Sequence, residues 1–472
     1  MPVIATVLQI ILLIFVVLMI FNIIIFVHEL GHFLAGKWRG LQIDRFQIWF
    51  GKPIWKKEIN GVQFGLGWIP AGGFVALPQM APMESIEGGN GDSKALPPIT
   101  PLDKIIVAFA GPLFSMLLAL LSAVVVWKVG KPADFIANTE IGFVESGGPA
   151  AKAGILVGDK ILAINGDPIN GFAGSLNSVT ERIILSRGDK ISYTVQRPGV
   201  AEPVTLTSGF ETEETRWFQR RGLRQVGIGT SAAAIIGNVS ANSPAADAGL
   251  VKGDQILSID GTKLYSLEQF SQYLKEKGWK TLRLSVKTAK GETREVDLTP
   301  EVPLKPANSD PKMGILWDFT REVDVRIVHP GPIKQVKDSL HMMWVTITSV
   351  VSPDSNIGVD HLSGPVGIAK MQYQLLQMDD GWRRILAFMV LFNVNLAVLN
   401  MMPFPVLDGG HIVLATLEKI FGRPVKAKPL EILQTVCALA LISLMLFVTS
   451  KDIGDSFGRG SGKGQEIVFP AN

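Results

Sequence analysis

The chain is poor in the residues that brace extracellular folds or mark nucleic-acid binders. A single cysteine, Cys437, excludes an intrachain disulfide; within an apolar run it reads as a small hydrophobe. Charge is sparse as well: Asp, Glu, Lys and Arg make up 18% of the 472 residues, and the formal net charge is +3. No basic stripe interleaved with aromatics occurs, so no nucleic-acid partner is expected. Histidine is scarce, six in all, yet two stand four residues apart in His28-Glu29-Leu30-Gly31-His32. What is plentiful is apolar, at 47% hydrophobic residues. That mixture is too apolar for an ordinary soluble protein and too polar in its middle for helices throughout.

Four segments are long and apolar enough to span a bilayer, which takes roughly 20 residues. They run from about Val3 to Ala35, Ile105 to Val129, Ile385 to Met402 and Leu430 to Thr449. The first lacks a basic leader and is too long for a cleaved signal, so it reads as a span. Basic residues set the orientation. Lys37, Arg39, Arg45, Lys52, Lys56 and Lys57 follow the first span, and Lys419, Arg423, Lys426 and Lys428 join the third to the fourth. Both connections are therefore expected on the cytoplasmic side, with the termini and the large middle region outside.

His28 and His32 share one helix face, so both rings can reach one ion. The neighbouring Glu29 is placed to take a proton from an attacking water, which is the arrangement of zinc proteases. Ionisable groups at the end of an uncharged run are costly unless used. A catalytic zinc wants a third protein ligand. By the charge argument, Asp408 in Asn400-Met401-Met402-Pro403-Phe404-Pro405-Val406-Leu407-Asp408-Gly409-Gly410 falls on the same membrane side and supplies a hard oxygen. Asn393 reads as interhelical glue. Asn395 and Asn400 could bind substrate backbone or an anionic intermediate. His411 reads as a cytosolic surface residue in preference to a partner of Asp408.

Between the spans, β-like pieces at Leu41 to Phe50 and Val62 to Leu77 are punctuated by glycine, with Gly72-Gly73-Phe74-Val75 a turn into a strand. Residues 78 to 101 read as a loop. The middle region repeats itself: Gly148-Pro149-Ala150-Ala151, Gly158-Asp159 and Ile164-Asn165-Gly166 return 95 residues later as Ser243-Pro244-Ala245-Ala246, Gly253-Asp254 and Ile259-Asp260-Gly261. The pattern resembles the PDZ domain, which binds extended peptides or C-termini at a sheet edge. Residues 332 to 351 carry Ile333, Val336, Leu340, Met343, Trp344 and Ile347 on one face, with Lys334, Gln335, Lys337 and Asp338 off it, as an interfacial helix would.

Taken together, His28-Glu29-x-x-His32, Asn400-x-x-Pro403-x-x-x-Leu407-Asp408-Gly409 and the intervening repeats resemble the site-2 proteases, across nearly the whole chain. The resemblance implies a multi-pass α-helical membrane protein with four transmembrane helices, a membrane-associated β element and two extracytoplasmic PDZ domains. It implies one catalytic Zn2+ on His28, His32 and Asp408, with Glu29 as general base. Asn395, Asn400 and Pro403 match positions tied to substrate, as does the edge strand Gly72, Gly73, Phe74 and Val75. Implied substrates are single-pass membrane proteins cut within their spans, such as a pre-trimmed anti-sigma factor or remnant signal peptides, in envelope stress. The implied site is the bacterial inner membrane, with the active centre near its cytoplasmic face and the lipid bilayer as surroundings. The expected division is 1–36 (first span), 37–103 (β element and loop), 104–130 (second span), 131–218 and 219–312 (PDZ domains), 313–380 (strands and interfacial helix), 381–402 (third span), 403–428 (loop), 429–450 (fourth span) and 451–472 (tail), the tail being unlike a structured family ending. The competing reading is a non-catalytic zinc scaffold or transporter whose PDZ domains capture peptides.

Overall fold

The computed structural model describes residues 2–80, 99–277, 279–305, 310–318, 324–422, 427–458 and 469. Most of the expected loop at 78–101, and most of the tail beyond Gly458, lie outside these residues. The chain divides into two units.

The first unit is built on long helices. α1 (Pro2–Trp38) carries both histidines, and α2 (Pro101–Val129) starts at a capping box. There the Thr100 side chain accepts from the Asp103 N–H, and the Asp103 carboxylate accepts from the Thr100 N–H. α3 (Pro332–Val351), α4 (Pro365–Gln377), α5 (Gly381–Asn400), α6 (Asp408–Phe421) and α7 (Ala427–Gly458) complete the series. Among the described residues four helices are long and apolar enough to cross a membrane, at Ile10–Trp38, Pro101–Val129, Gly381–Asn400 and Lys428–Asp455. Their outward faces carry leucine, isoleucine and phenylalanine in quantity: Leu12 and Phe15 on α1, Leu117 and Leu121 on α2, and Val436, Leu439 and Leu446 on α7 are all exposed. A surface this apolar suits hydrocarbon rather than water.

Helix contacts inside the unit depend on small residues. A Cβ on Gly31 would lie 2.4 Å from the Ala110 carbonyl oxygen, so glycine lets α1 and α2 approach backbone to backbone. Ile20, Ile24 and Ile385 lock α1 to α5 beside this contact.

Two strands, β1 (Arg45–Ile59) and β2 (Val62–Ala76), make a folded-over sheet. β1 turns at Trp49 and Gly51, both with positive φ, so its two halves pair separately. Residues 45–48 pair on one side with Gln63 to Leu66 and on the other, antiparallel, with Gly73 to Ala76. Residues 53–59 pair with the outer side of 62–67. The 73–76 segment is thus an edge, and it lies along α1. The strands are longer than the sequence indicated, because Lys52 to Glu58 lack the alternation that marks a half-buried strand and are mostly exposed.

Two expectations are corrected in this unit. The stretch 403–428, read as a loop, contains α6; Asp408-Gly409-Gly410 reads as a turn, but it is the first turn of a helix. α4 was unforeseen within 313–380. α3 has the expected bounds: Ile333, Leu340 and Trp344 of its apolar stripe are exposed, as are Lys334, Lys337 and Asp338, while Gln335, Ser339 and Met343 are buried. Gln335 donates to the Ala123 carbonyl of α2. Away from water, a buried amide of this kind needs such a protein partner.

The second unit holds the repeats. The first module has a four-stranded sheet, in order Asp167–Pro168, Lys160–Ile164, Ile191–Gln196 and Val204–Ser208, around a core that includes Ile161, Ile164, Val179, Ile191 and Tyr193. The second repeats the plan around Ile236, Ile256, Ile259, Phe270 and Leu284. In both, a Pro-Ala-Ala helical turn precedes the Gly-Asp turn, and Asn165 and Asp260 take positive φ in the hairpins. Each module is closed by a strand lying beyond its expected boundary. Ile228–Thr230 pairs with Ile141–Val144, past residue 218, and Ile315–Trp317 pairs with Ala234–Val239, past residue 312. Ile315–Trp317 lies in the stretch read as strands, but that each closing strand belongs to its module was not foreseen, because a long connection separates it from its partner. Lys131–Phe135 and Asp324–Val328, which flank the modules in sequence, pair with each other.

Candidate active site

α1 positions the two histidines one turn apart, both nearly buried, with Nε2 atoms 3.3 Å from each other. Asp408, at the start of α6, approaches from the far end of the sequence. Its Oδ2 lies 3.3 Å from His28 Nε2 and its Oδ1 3.3 Å from His32 Nε2. One carboxylate and two rings therefore converge with every ring-to-neighbour distance at 3.3 Å.

Each ring's other nitrogen is held by a separate partner on α2. His32 Nδ1 lies 2.8 Å from the Val107 carbonyl, which can only accept, so that nitrogen carries the proton and Nε2 presents a lone pair. His28 Nδ1 meets the buried Ser115 hydroxyl at 2.9 Å. Asp408 Oδ2 is buried without a hydrogen bond. Donors in a tetrahedral zinc site with bonds of about 2.0–2.1 Å stand roughly 3.3–3.4 Å apart, so the spacing fits that ion. Burial works against charge on Asp408, yet the imidazoles beside it hold its carboxyl below the usual carboxylate range.

α2 forms the floor. A Cβ on Gly111 would lie 2.2 Å from His32 Nε2 and 2.8 Å from His28 Nε2, so no other residue fits without displacing the rings. A cavity of about 320 Å3 opens over the triad. Glu29 lines it beside Gly72, Gly73, Phe74 and Val75 of the edge strand. A Cβ on Gly73 would come within 3.4 Å of Glu29 Cγ, so strand and carboxylate are in close contact.

Residues 15–444 match the model of peptidase family M50. The chain belongs to peptidase family M50. A Neisseria meningitidis protein whose name assigns it provisionally to the zinc metalloproteases is 29% identical over 453 residues, covering 91% of this chain and 96% of its own. The regulator of sigma E protease of Haemophilus influenzae is 28% identical over 451 residues (91% and 96%). The regulator of sigma-E protease RseP of Escherichia coli is 26% identical over 456 residues (90% and 94%). Among solved structures, the PDZ domain of an SdrC-like protein from Listeria innocua aligns with 18% of this chain and 93% of its own at 25% identity and a TM-score of 0.16.

This M50 chain is thus a zinc metalloprotease with four membrane-spanning candidate helices, and its resemblance to the site-2 proteases is borne out. Its structure brings His28, Glu29, His32, Asp408, Asn400 and the 72–75 strand to one cavity. Asn400 Nδ2 lies 3.4 Å from His28 Nε2. Asn395 and Pro403 are not among the cavity-lining residues. Asn395, five positions before Asn400 on α5, is turned away by about 140° of helix. Asn393, expected to bridge helices, instead donates to Met389 within α5. His411, read as a surface residue, lines the cavity, and burial pushes its imidazole below the usual histidine range. Sequence reasoning missed Ser115, Val107 and Gly111. The one available signal was Gly111-Pro112 inside an apolar helix, an expensive pair that marks a close approach.

Proposed function

We propose that His28, His32 and Asp408 hold a single catalytic zinc ion and that Glu29 is the general base of an intramembrane peptide hydrolysis. The observation that carries this reading is the convergence of three donor groups at zinc-like spacing beside a carboxylate. When bound, the ion supplies Lewis acidity to a peptide carbonyl and makes water nucleophilic near neutral pH. Glu29 accepts the proton of that water and passes it to the leaving amine. Asn400 aims an amide donor into the cavity, where negative charge develops in the transition state. A substrate helix hides its peptide bonds in its own ladder and must unwind first; the exposed backbone then adds to the edge at Gly73–Val75.

We assign substrates of the kind the resemblance implies: single-pass membrane proteins already trimmed outside, an anti-sigma factor in envelope stress or remnant signal peptides. The names of the relatives support this assignment. We place the chain in a bacterial inner membrane, with the active centre toward the cytoplasm and the two repeat modules, read as PDZ domains, in the periplasm. The lysine and arginine bias supports that orientation. Counting the closing strands, the modules span residues 136–230 and 231–318, and they bind peptides or exclude bulky substrates.

Glu29→Gln tests the reading. The purified variant should keep one zinc per chain and cleave a tagged transmembrane peptide at least ~100-fold more slowly. Turnover near that of the unaltered chain would remove Glu29 from the chemistry.

A further inference from the structure

Phe469 is the single described residue beyond Gly458, and only 4% of it is exposed. A buried aromatic at the end of a tail has found a surface. That surface is on the second module, where a Cβ on Gly314 would lie 3.1 Å from Phe469 Cε2 and 2.2 Å from Ser243 Cβ. Gly314 has φ +79°, which favours glycine, and the space beside it is filled by serine on one side and by the phenyl ring on the other.

Gly314 stands at the mouth of a sheet edge. The carbonyls of Met313 and Gly314 accept from the N–H groups of Ala245 and Ser240, which pins the turn. The chain then enters Ile315–Trp317, the last strand in the sheet order and therefore an edge. An edge strand beginning at a glycine turn is where an extended peptide adds to a fold of this kind. Phe469 occupies the start of that edge. The sequence leading to it is suited to a tethered ligand: Gly460-Ser461-Gly462-Lys463-Gly464 and then Ile467-Val468 ahead of the phenylalanine. A covalent tether of this kind gives an effective concentration on the order of millimolar.

We propose that the chain's own C-terminal segment, anchored by Phe469, is a ligand of the second module and competes with incoming peptides for the Gly314 end of its edge strand. The proposal rests on reading that module as a peptide binder and not on the zinc chemistry.

The probe is a fluorescein-labelled peptide of sequence Gln-Glu-Ile-Val-Phe-Pro-Ala-Asn, added to the full chain and to a chain ending at Gly458, both in detergent. The shortened chain should bind it at least tenfold more tightly, and full-length Phe469→Ala should match the shortened chain. The same peptide with alanine for phenylalanine should lose that binding. Equal affinity for the full and shortened chains, or no binding to the shortened one, overturns the proposal. Repeating the titration on Glu29→Gln should give unchanged affinities, which separates failure of this proposal from failure of the catalytic one.

Discussion

At the scale of single residues, the two histidines are held by unlike partners. His32 leans on a main-chain carbonyl, which substitution cannot delete, whereas His28 leans on the Ser115 hydroxyl. Groups of this kind orient metal-binding rings and typically account for 10–100-fold in affinity. Ser115→Ala should therefore weaken zinc binding about tenfold, read by competition with a chromogenic chelator. Unchanged affinity would reduce Ser115 to packing. The proposed ligands were singled out before any coordinates. The pentad states its chemistry by spacing, and Asp408 was reachable by asking which carboxylate shares its side of the membrane. Ser115 was not, because one serine in an apolar helix carries no period and its partner lies 87 residues away in sequence.

At the scale of elements, α2 and the 73–76 edge serve the site without supplying a ligand or base. Gly111 gives the rings their floor, and Gly73 keeps the edge close to Glu29 and Ile25. Gly73→Val puts carbon into the space between strand and carboxylate. Its φ lies outside the left-handed region, so the cost falls on neighbours: a Cβ there meets Ile25 Cγ2 at 2.9 Å and the Gln47 carbonyl oxygen at 3.2 Å. The variant should keep its zinc and lose cleavage of a transmembrane peptide by more than about tenfold, a loss of ~1.4 kcal/mol in transition-state stabilisation. Unimpaired cleavage would take the strand out of substrate handling. Long apolar helices were readable from length and hydropathy. α6 was not, since Asp-Gly-Gly imitates a turn. The bounds of α3 were readable from its stripe, but the burial of Gln335 against the Ala123 carbonyl was not, because that partner lies 212 residues away in sequence.

At the scale of the whole molecule, the proposed filter is open to a direct test. Excising residues 140 to 317 should allow cleavage of a substrate that still carries its extracytoplasmic domain, at a rate approaching that of the trimmed form. Continued refusal of the untrimmed substrate would assign selection to the helices instead. The repeat was visible as a 95-residue echo, but the pairing of its closing strands was not, because nothing local ties Ile315–Trp317 to a partner some 80 residues earlier. The paired segments Lys131–Phe135 and Asp324–Val328 carry a consequence of their own. A chain that departs and returns at adjacent points can host an insert of almost any length at little cost to its host. Evolution or an engineer can thus exchange the cargo between these strands, as one changes an attachment on a fixed socket, while the hydrolytic centre keeps its geometry.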